Sequence, residues 1–174
     1  MLVRFIGPPG GAAIQSERII ILGWNIASRA ISQLIMTDSN FKIEAWLMSF
    51  LSEAGAVAGT VHLHQNGGLR LAASVNIALK VQEVVAWVPA GKGMAGLALE
   101  RGQPVQTCNL KEDGSGAVKP GAKAVDAKAA IAIPVRDESD SIVAVVGIAF
   151  ADEREIQGEE LDRLQRAASN LGKV

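Results

Sequence analysis

Residues 88–102, VPAGKGMAGLALERG, place Gly91, Gly93 and Gly96 in the spacing G-x-G-x-x-G, ahead of a short helical pattern. Dinucleotide-binding turns use that spacing: a strand feeds a tight turn, and the helix that follows holds a pyrophosphate at its N-terminus. Asp113 stands near the position, about 20 residues on, where such a site wants an acidic side chain for the ribose. The surroundings point elsewhere. The helix has room only from Gly93 to Arg101, which is short for a βαβ crossover, and Pro89 truncates the strand before the turn. No further βα alternation follows. The glycines instead read as a sharp turn into a short helix packed closely on a sheet.

On either side of this loop the period of the apolar residues changes. Upstream, residues 1–15 read as an irregular arm ended by GPPGG, and a helix is expected over 16–36. Ile20, Gly23, Ala27, Ala30, Ile31 and Leu34 form one stripe on it, and Ile19, Leu22 and Ile26 a second. A helix with two apolar stripes must bury both. A second helix is expected over 41–54, where Ile43, Trp46, Leu47, Phe50, Leu51 and Ala54 recur at i, i+3, i+4, i+7. Strand alternation then begins: VAGTVHLHQ and LRLAASVN flank Asn66-Gly67-Gly68, which predicts a hairpin. Residues 78–86 read as an ambiguous stretch compatible with a short helix.

Downstream, Gly102 is expected to stop the short helix, and PVQTCNL reads as a strand. Residues 111–128 form a long Gly-, Lys- and Asp-rich loop, of the kind that serves as a lid or as a flexible connection. AAIAIPVRD and SIVAVVGIAFAD read as a second hairpin around DESD. A closing helix is expected from about Gln157 to Leu171, with Leu161, Leu164, Ala168 and Leu171 on one face and Gly172 as its cap. Two hairpins with helices at both ends predict an α+β domain built on an antiparallel sheet of about five to six strands. The expected organisation is arm 1–15, helix 16–36 serving dimerisation, and a domain over 37–174.

Composition narrows the function classes. The chain has 174 residues, 49% hydrophobic and 20% charged, with a net charge of −1, so it can bury a sizeable core. The pI is near 6.1. The chain has no Tyr and no basic stripe interleaved with aromatics, which argues against a nucleic-acid surface. The most apolar early stretch, RIIILGWNIASRAISQLIM, is interrupted by Asn25, Arg29 and Gln33, and so does not read as a membrane span. The N-terminus makes a poor signal peptide. A single cysteine, Cys108, fits a reducing compartment, and the chain is expected to be cytoplasmic.

The segment VPAGKGMAGLALERGQPVQTCNL resembles the central signature of GAF domains, in which a Gly-x-Gly turn opens a short helix ending in ERG-x-P-V before a strand. AAIAIPVRD resembles the family's penultimate strand with its proline, and SIVAVVGIAF its last strand with its glycine. IQGEELDRLQRAASNLG resembles the closing helix, introduced by Ile156 with Glu160 four residues on. The resemblance covers about residues 40–172. It implies a central antiparallel sheet with the terminal helices on one face and a small-molecule cavity on the other. It also implies the candidate pocket residues Trp87, Met94, Leu97, Cys108, Asn109 and Ile133; strand alternation keeps Cys108 and Asn109 from sharing a face. Two departures stand out: Asn109 occupies a place where the family often has Asp, and Ala151 and Asp152 stand where the cyclic-nucleotide-binding subset has an Asn–Lys pair.

Other chemistry is weaker. His62 and His64 share a face of one strand, but a metal site needs a third or fourth ligand, and no His, Cys or carboxylate cluster has matching spacing. No metal is expected, and no cofactor can be named. One GAF-type family reduces free methionine sulfoxide through cysteine thiols, but that chemistry resolves a sulfenic acid with a second cysteine. Asp137, Glu138 and Asp140 read as a solvated hairpin turn rather than as paired catalytic carboxylates. The expected function is therefore a non-enzymatic sensory or regulatory domain that binds an unidentified small molecule. It would act as a homodimer on a separate signalling protein, with no nucleic acid and no membrane partner. The alternatives are a dimerisation module without a ligand and a thiol-dependent methionine sulfoxide reductase.

Overall fold

The computed structural model describes residues 39–108 and 127–173. The arm expected over 1–15, the helix expected over 16–36, Asn109 and most of the loop 111–128 lie outside these residues. Helix α1 is described over 39–54. It is followed by the hairpin β1 (Ala58–Gln65) and β2 (Gly68–Val75), then α2 (Leu79–Val85) and the short strand β3 (Trp87–Pro89). Helix α3 (Gly93–Arg101) leads to β4 (Val105–Thr107), and the hairpin β5 (Ala129–Arg136) and β6 (Ile142–Phe150) precedes α4 (Gly158–Ser169). A 3-10 turn over Asn170–Lys173 ends the chain's described part, so the expected cap Gly172 lies inside that turn.

The six strands form one sheet in the order β3-β2-β1-β6-β5-β4, with antiparallel neighbours throughout. This is the expected α+β architecture with one more strand resolved: the stretch cut short by Pro89 still pairs with β2 through Trp87 and Val88. β4 is correspondingly shorter than PVQTCNL suggests, at three residues.

The sheet is buried on one side by α1 and α4. Ile43, Leu47, Phe50, Leu51 and Ala54 of α1 pack with Val61, Ile131, Ile133, Val146, Ile148 and Phe150 of the strands, and Leu164, Ala168 and Leu171 complete the layer. Leu47 is wholly buried. Gly59 lets α1 approach: a Cβ there would lie 2.9 Å from both the Gly147 carbonyl oxygen and a methyl of Leu51. The segment before α4 is clamped to β4, because the Gln106 amide donates to Ile156 O and accepts from Ile156 N, at 3.0 and 2.9 Å. At the other end of the sheet, Asp137 Oδ1 accepts from the Ser139 and Ser141 amides, which makes the acidic DESD segment a self-bonded turn.

α3 lies on the opposite side. Its connections run from β3 at one edge of the sheet to β4 at the other, so it crosses the whole face. Leu69, Val88, Ala132 and Val145 of the strands form a buried cluster with its own Ala98. Gly91 and Gly93 adopt φ of 73° and 64°, in the left-handed region that favours glycine. The Gly91 amide donates to Gly96 O at 2.8 Å, and a Cβ on Gly96 would collide with the carbonyl of Pro89. The glycines of the opening segment thus serve a close turn and close packing. No parallel strand pair exists among the described residues to make them a dinucleotide site.

Candidate functional site

The α3 face of the sheet carries small side chains at its centre. Strand alternation places Thr60 of β1, Ala130 and Ala132 of β5, and Gly147 and Ala149 of β6 on this face, and the register makes them neighbours. Thr60 pairs with Gly147, Gly147 with Ala132, and Ala149 with Ala130. The five span three strands, an area of about 10 Å by 7 Å at ordinary strand spacing and rise. No side chain in this floor exceeds threonine. A Cβ on Gly147 would stand 3.0 Å from the Thr60 hydroxyl oxygen. Thr60, Ala130, Gly147 and Ala149 remain partly accessible although β1 and β6 are the two central strands. α3 covers the neighbouring patch at Val145 and Ala132, and its first turn reaches the edge of the floor through Met94, which packs, as Ala130 and Ala149 do, against the buried Ala127.

His62 borders this floor two residues along β1 from Thr60 and is 3% exposed. Its Nε2 lies 3.0 Å from the carbonyl oxygen of Val85, the last residue of α2. A carbonyl only accepts, so Nε2 carries the proton and Nδ1 of the neutral ring is an acceptor. Nδ1 is buried and has no hydrogen-bond partner. Burial pushes the imidazole below its ordinary 6.5, an effect that the bond to Val85 opposes. Leaving a buried acceptor unpaired costs about 1–3 kcal/mol, so the position calls for a reason. His64, two residues on, is exposed, and its Nδ1 lies 3.0 Å from Ile142 O. Among the described residues no group of three or more His, Cys, Asp or Glu is placed to hold a metal ion.

The six pocket residues implied by the resemblance fall in different places. Met94 stands at the edge of the floor. Leu97 is half-buried on α3. Trp87 is 44% exposed on the edge strand and lies over Gly68, where a Cβ would collide with its ring. Cys108 is exposed just beyond β4. Ile133 is wholly buried in the layer shared with α1 and α4, on the other side of the sheet from Met94. Asn109 lies outside the described residues. The floor itself had a signal in the sequence: Ala130 and Ala132 alternate with Ile131 and Ile133, and Gly147 and Ala149 alternate with Val146, Ile148 and Phe150. Small residues on one side of two adjacent strands mark a face that is not filled by its own side chains.

Two further features complete the surroundings. After β6, Arg154 bonds Asp152 at 2.8 Å and Glu160 at 3.2 Å, and lies 4.5 Å over the Phe150 ring. Asp152 is thereby occupied, and Arg154 holds its carboxyl below the usual range. Between α1 and α4 a shallow depression of about 80 Å³ is lined by Phe50, Glu53, Ala54, Arg163, Leu164 and Ala167. That is far below the few hundred Å³ of ordinary ligand pockets. Among the described residues no helix is long and apolar enough to cross a membrane.

No curated protein matches the chain. Among solved structures, it is similar to a type II free methionine-R-sulfoxide reductase from Thermoplasma acidophilum, with 16% identity and a TM-score of 0.63, over 79% of this chain and 92% of that one. It is similar to the GAF domain of a phosphoenolpyruvate-protein phosphotransferase from Coxiella burnetii, at 17% identity and TM-score 0.61, over 82% and 84% of the two chains. The NreA protein of Staphylococcus aureus, mutated in its nitrate binding site, shares 15% identity and a TM-score of 0.57, over 72% and 97%. At these identities the likeness is one of fold. The family model described as GAF domain matches residues 47–174, from the buried half of α1 through α4, and the chain belongs to that family.

Proposed function

We propose that this GAF domain is a non-enzymatic, small-molecule-binding regulatory module. The observation that carries the reading is the accessibility of Thr60 and Gly147, in the two central strands, on the face opposite the terminal helices. A ligand seats on the floor beside Met94. β1 and β6 then connect the two sides of the sheet: Thr60 and Gly147 face the ligand, while Val61, Val146 and Ile148 pack against α1 and α4. A change of strand position on one side therefore reaches the helices on the other. The output is taken up by a separate cytoplasmic partner, with the domain acting as a homodimer. The NreA neighbour carries a nitrate binding site, so this fold holds a small ligand elsewhere.

Native mass spectrometry of freshly purified protein tests this. The expected result is an added small mass that is lost on denaturation and reduced by Gly147→Leu, which fills the floor. A bare chain mass in every preparation, with no thermal shift across a metabolite screen, would sink the reading.

A catalytic role has one observation in its favour, the reductase among the structural neighbours. Cys108 is exposed, but it is the chain's sole cysteine and has no second thiol to resolve a sulfenic acid. A thioredoxin-coupled assay with free methionine sulfoxide is expected to show no turnover above background. Turnover that disappears in Cys108→Ser would replace the regulatory reading with an enzymatic one.

A further inference from the structure

Helix α2 depends on the sheet for its place. It makes only about two turns, and Val81, Val84 and Val85 among its residues are β-branched. A helix this short does not hold itself in water. No side chain caps its N-terminus, no acidic residue stands in its first turn and no basic one in its last. Leu79, Lys80, Glu83 and Val84 are exposed, and Val81 is its one buried residue. The Gln82 amide bonds only Ile77 O, just before the helix. What ties its C-terminal end to the strands is the Leu71 amide on Ala86 O at 3.1 Å and His62 Nε2 on Val85 O at 3.0 Å.

His62 is set in the middle of the sheet, its backbone paired with Leu71 of β2 and Val145 of β6. Its Nδ1 is enclosed and has no partner. A proton taken up there would place a charge in that enclosure, with no acceptor for the new N–H. The ionisable groups on the surrounding elements are His64 of β1, Arg70 of β2, Lys80 and Glu83 of α2, and Glu100 and Arg101 of α3. All are exposed, none pairs with His62, and β6 carries none. The Val85 carbonyl, at a helix C-terminus, favours a charged ring, but burial outweighs it.

From this arrangement we infer that α2 is an acid-released latch: a proton taken up by His62 lifts α2 from the sheet while the sheet stays folded. The charged ring must reach water, and the least costly cover to remove decides how. β2 and β6 are held by ladders of backbone bonds, whereas α2 is held by one buried valine and the bonds at its end. Elements with so few buried contacts open locally, below the cost of global unfolding. Release uncovers Val81 and Val85 beside the exposed Leu79 and Val84, so acid turns this segment into an open apolar surface. The device does not depend on ligand binding.

The test is hydrogen exchange of the whole chain between about pH 8 and 5, corrected for the intrinsic rates and read at α2, β1 and β6. Above the ordinary 6.5 of a histidine, the open and closed forms both hold a neutral ring, and α2 protection is constant. Below it the open form takes up the proton first, so α2 protection should fall about tenfold per pH unit until the closed form also charges. Through this fall β1 and β6 are expected to stay better protected than α2. His62→Gln, whose amide nitrogen can keep the bond to Val85 but takes up no proton, should make α2 protection independent of pH. Should that variant fail to fold, 15N-histidine spectra of the wild type decide: the charging of His62 and the loss of α2 protection must fall in the same pH range. Wild-type α2 protection that does not change with pH overturns the latch. So does loss of α2 and the central strands together, a wild-type slope retained in His62→Gln, or charging of His62 in a different pH range.

Discussion

The Nε2 of His62, in a central strand, donates to the carbonyl oxygen of Val85 at 3.0 Å, and so ties the end of α2 to the middle of the sheet. The bond forms with the neutral ring, and burial holds the folded-state pKa below the ordinary 6.5. The sign follows. Above pH 6.5 both the folded and unfolded chains hold a neutral His62, and the full stability is present. As pH falls below that value the unfolded chain takes up the proton first, and stability is lost at about 1.4 kcal/mol per pH unit until the folded pKa is reached. Thermal unfolding between pH 7.5 and 5 is expected to show this slope in the wild type and a flatter profile in His62→Gln. Parallel profiles would contradict it.

Gly59 and Gly147 sit in adjacent strands but face opposite layers, and alanine should separate them. At Gly59 the new Cβ meets a backbone carbonyl and Leu51, both at 2.9 Å, and the backbone cannot turn away. Gly59→Ala is expected to destabilise by about 1–3 kcal/mol in urea unfolding. At Gly147 the nearest atom is the Thr60 hydroxyl at 3.0 Å, which can rotate. Gly147→Ala is expected to stay within about 1 kcal/mol of the wild type, since the lost strand flexibility of glycine offsets the crowding. Equal losses at the two sites would show that the floor is as tightly filled as the helical side.

Arg154 joins the end of β6 to α4 through Asp152, Glu160 and the Phe150 ring. The two ion pairs are partly open to solvent, so Arg154→Ala should cost no more than about 1 kcal/mol, with half or more of that removed by 1 M salt. A loss of several kcal/mol would mark Arg154 as a main anchor of α4.

The second apolar stripe expected on residues 16–36, Ile19, Leu22 and Ile26, predicts a homodimer, because a one-layer domain covers only one stripe. A standard interface of about 1,600 Å² would bury it. Light scattering at tens of micromolar is expected to give twice the chain mass, and Leu22→Glu to give monomers. A wild-type mass of 18.2 kDa would rule out the dimer.

The layers of the fold follow from local pattern. Ile43, Leu47, Phe50 and Leu51 recur at helical spacing, and that face of α1 is buried as the periodicity requires. Asn66-Gly67 and the alternation around it set the first hairpin, because turn geometry and side-chain direction are local properties of the backbone. The glycines at 91, 93 and 96 were legible as a tight turn for the same reason. Which side of each strand does what depends on contacts between elements far apart in the chain. Alternation says that Ala132 and Ile133 point opposite ways, but α1 and α4 determine that Ile133 belongs to their layer. His62 reads in the sequence as an ordinary strand histidine. Its unpaired Nδ1 exists only because α2, 23 residues on, supplies the Val85 carbonyl to the other nitrogen. Sites of this kind are made by contacts distant in the chain, whose energies depend on three-dimensional register, and no local pattern encodes them.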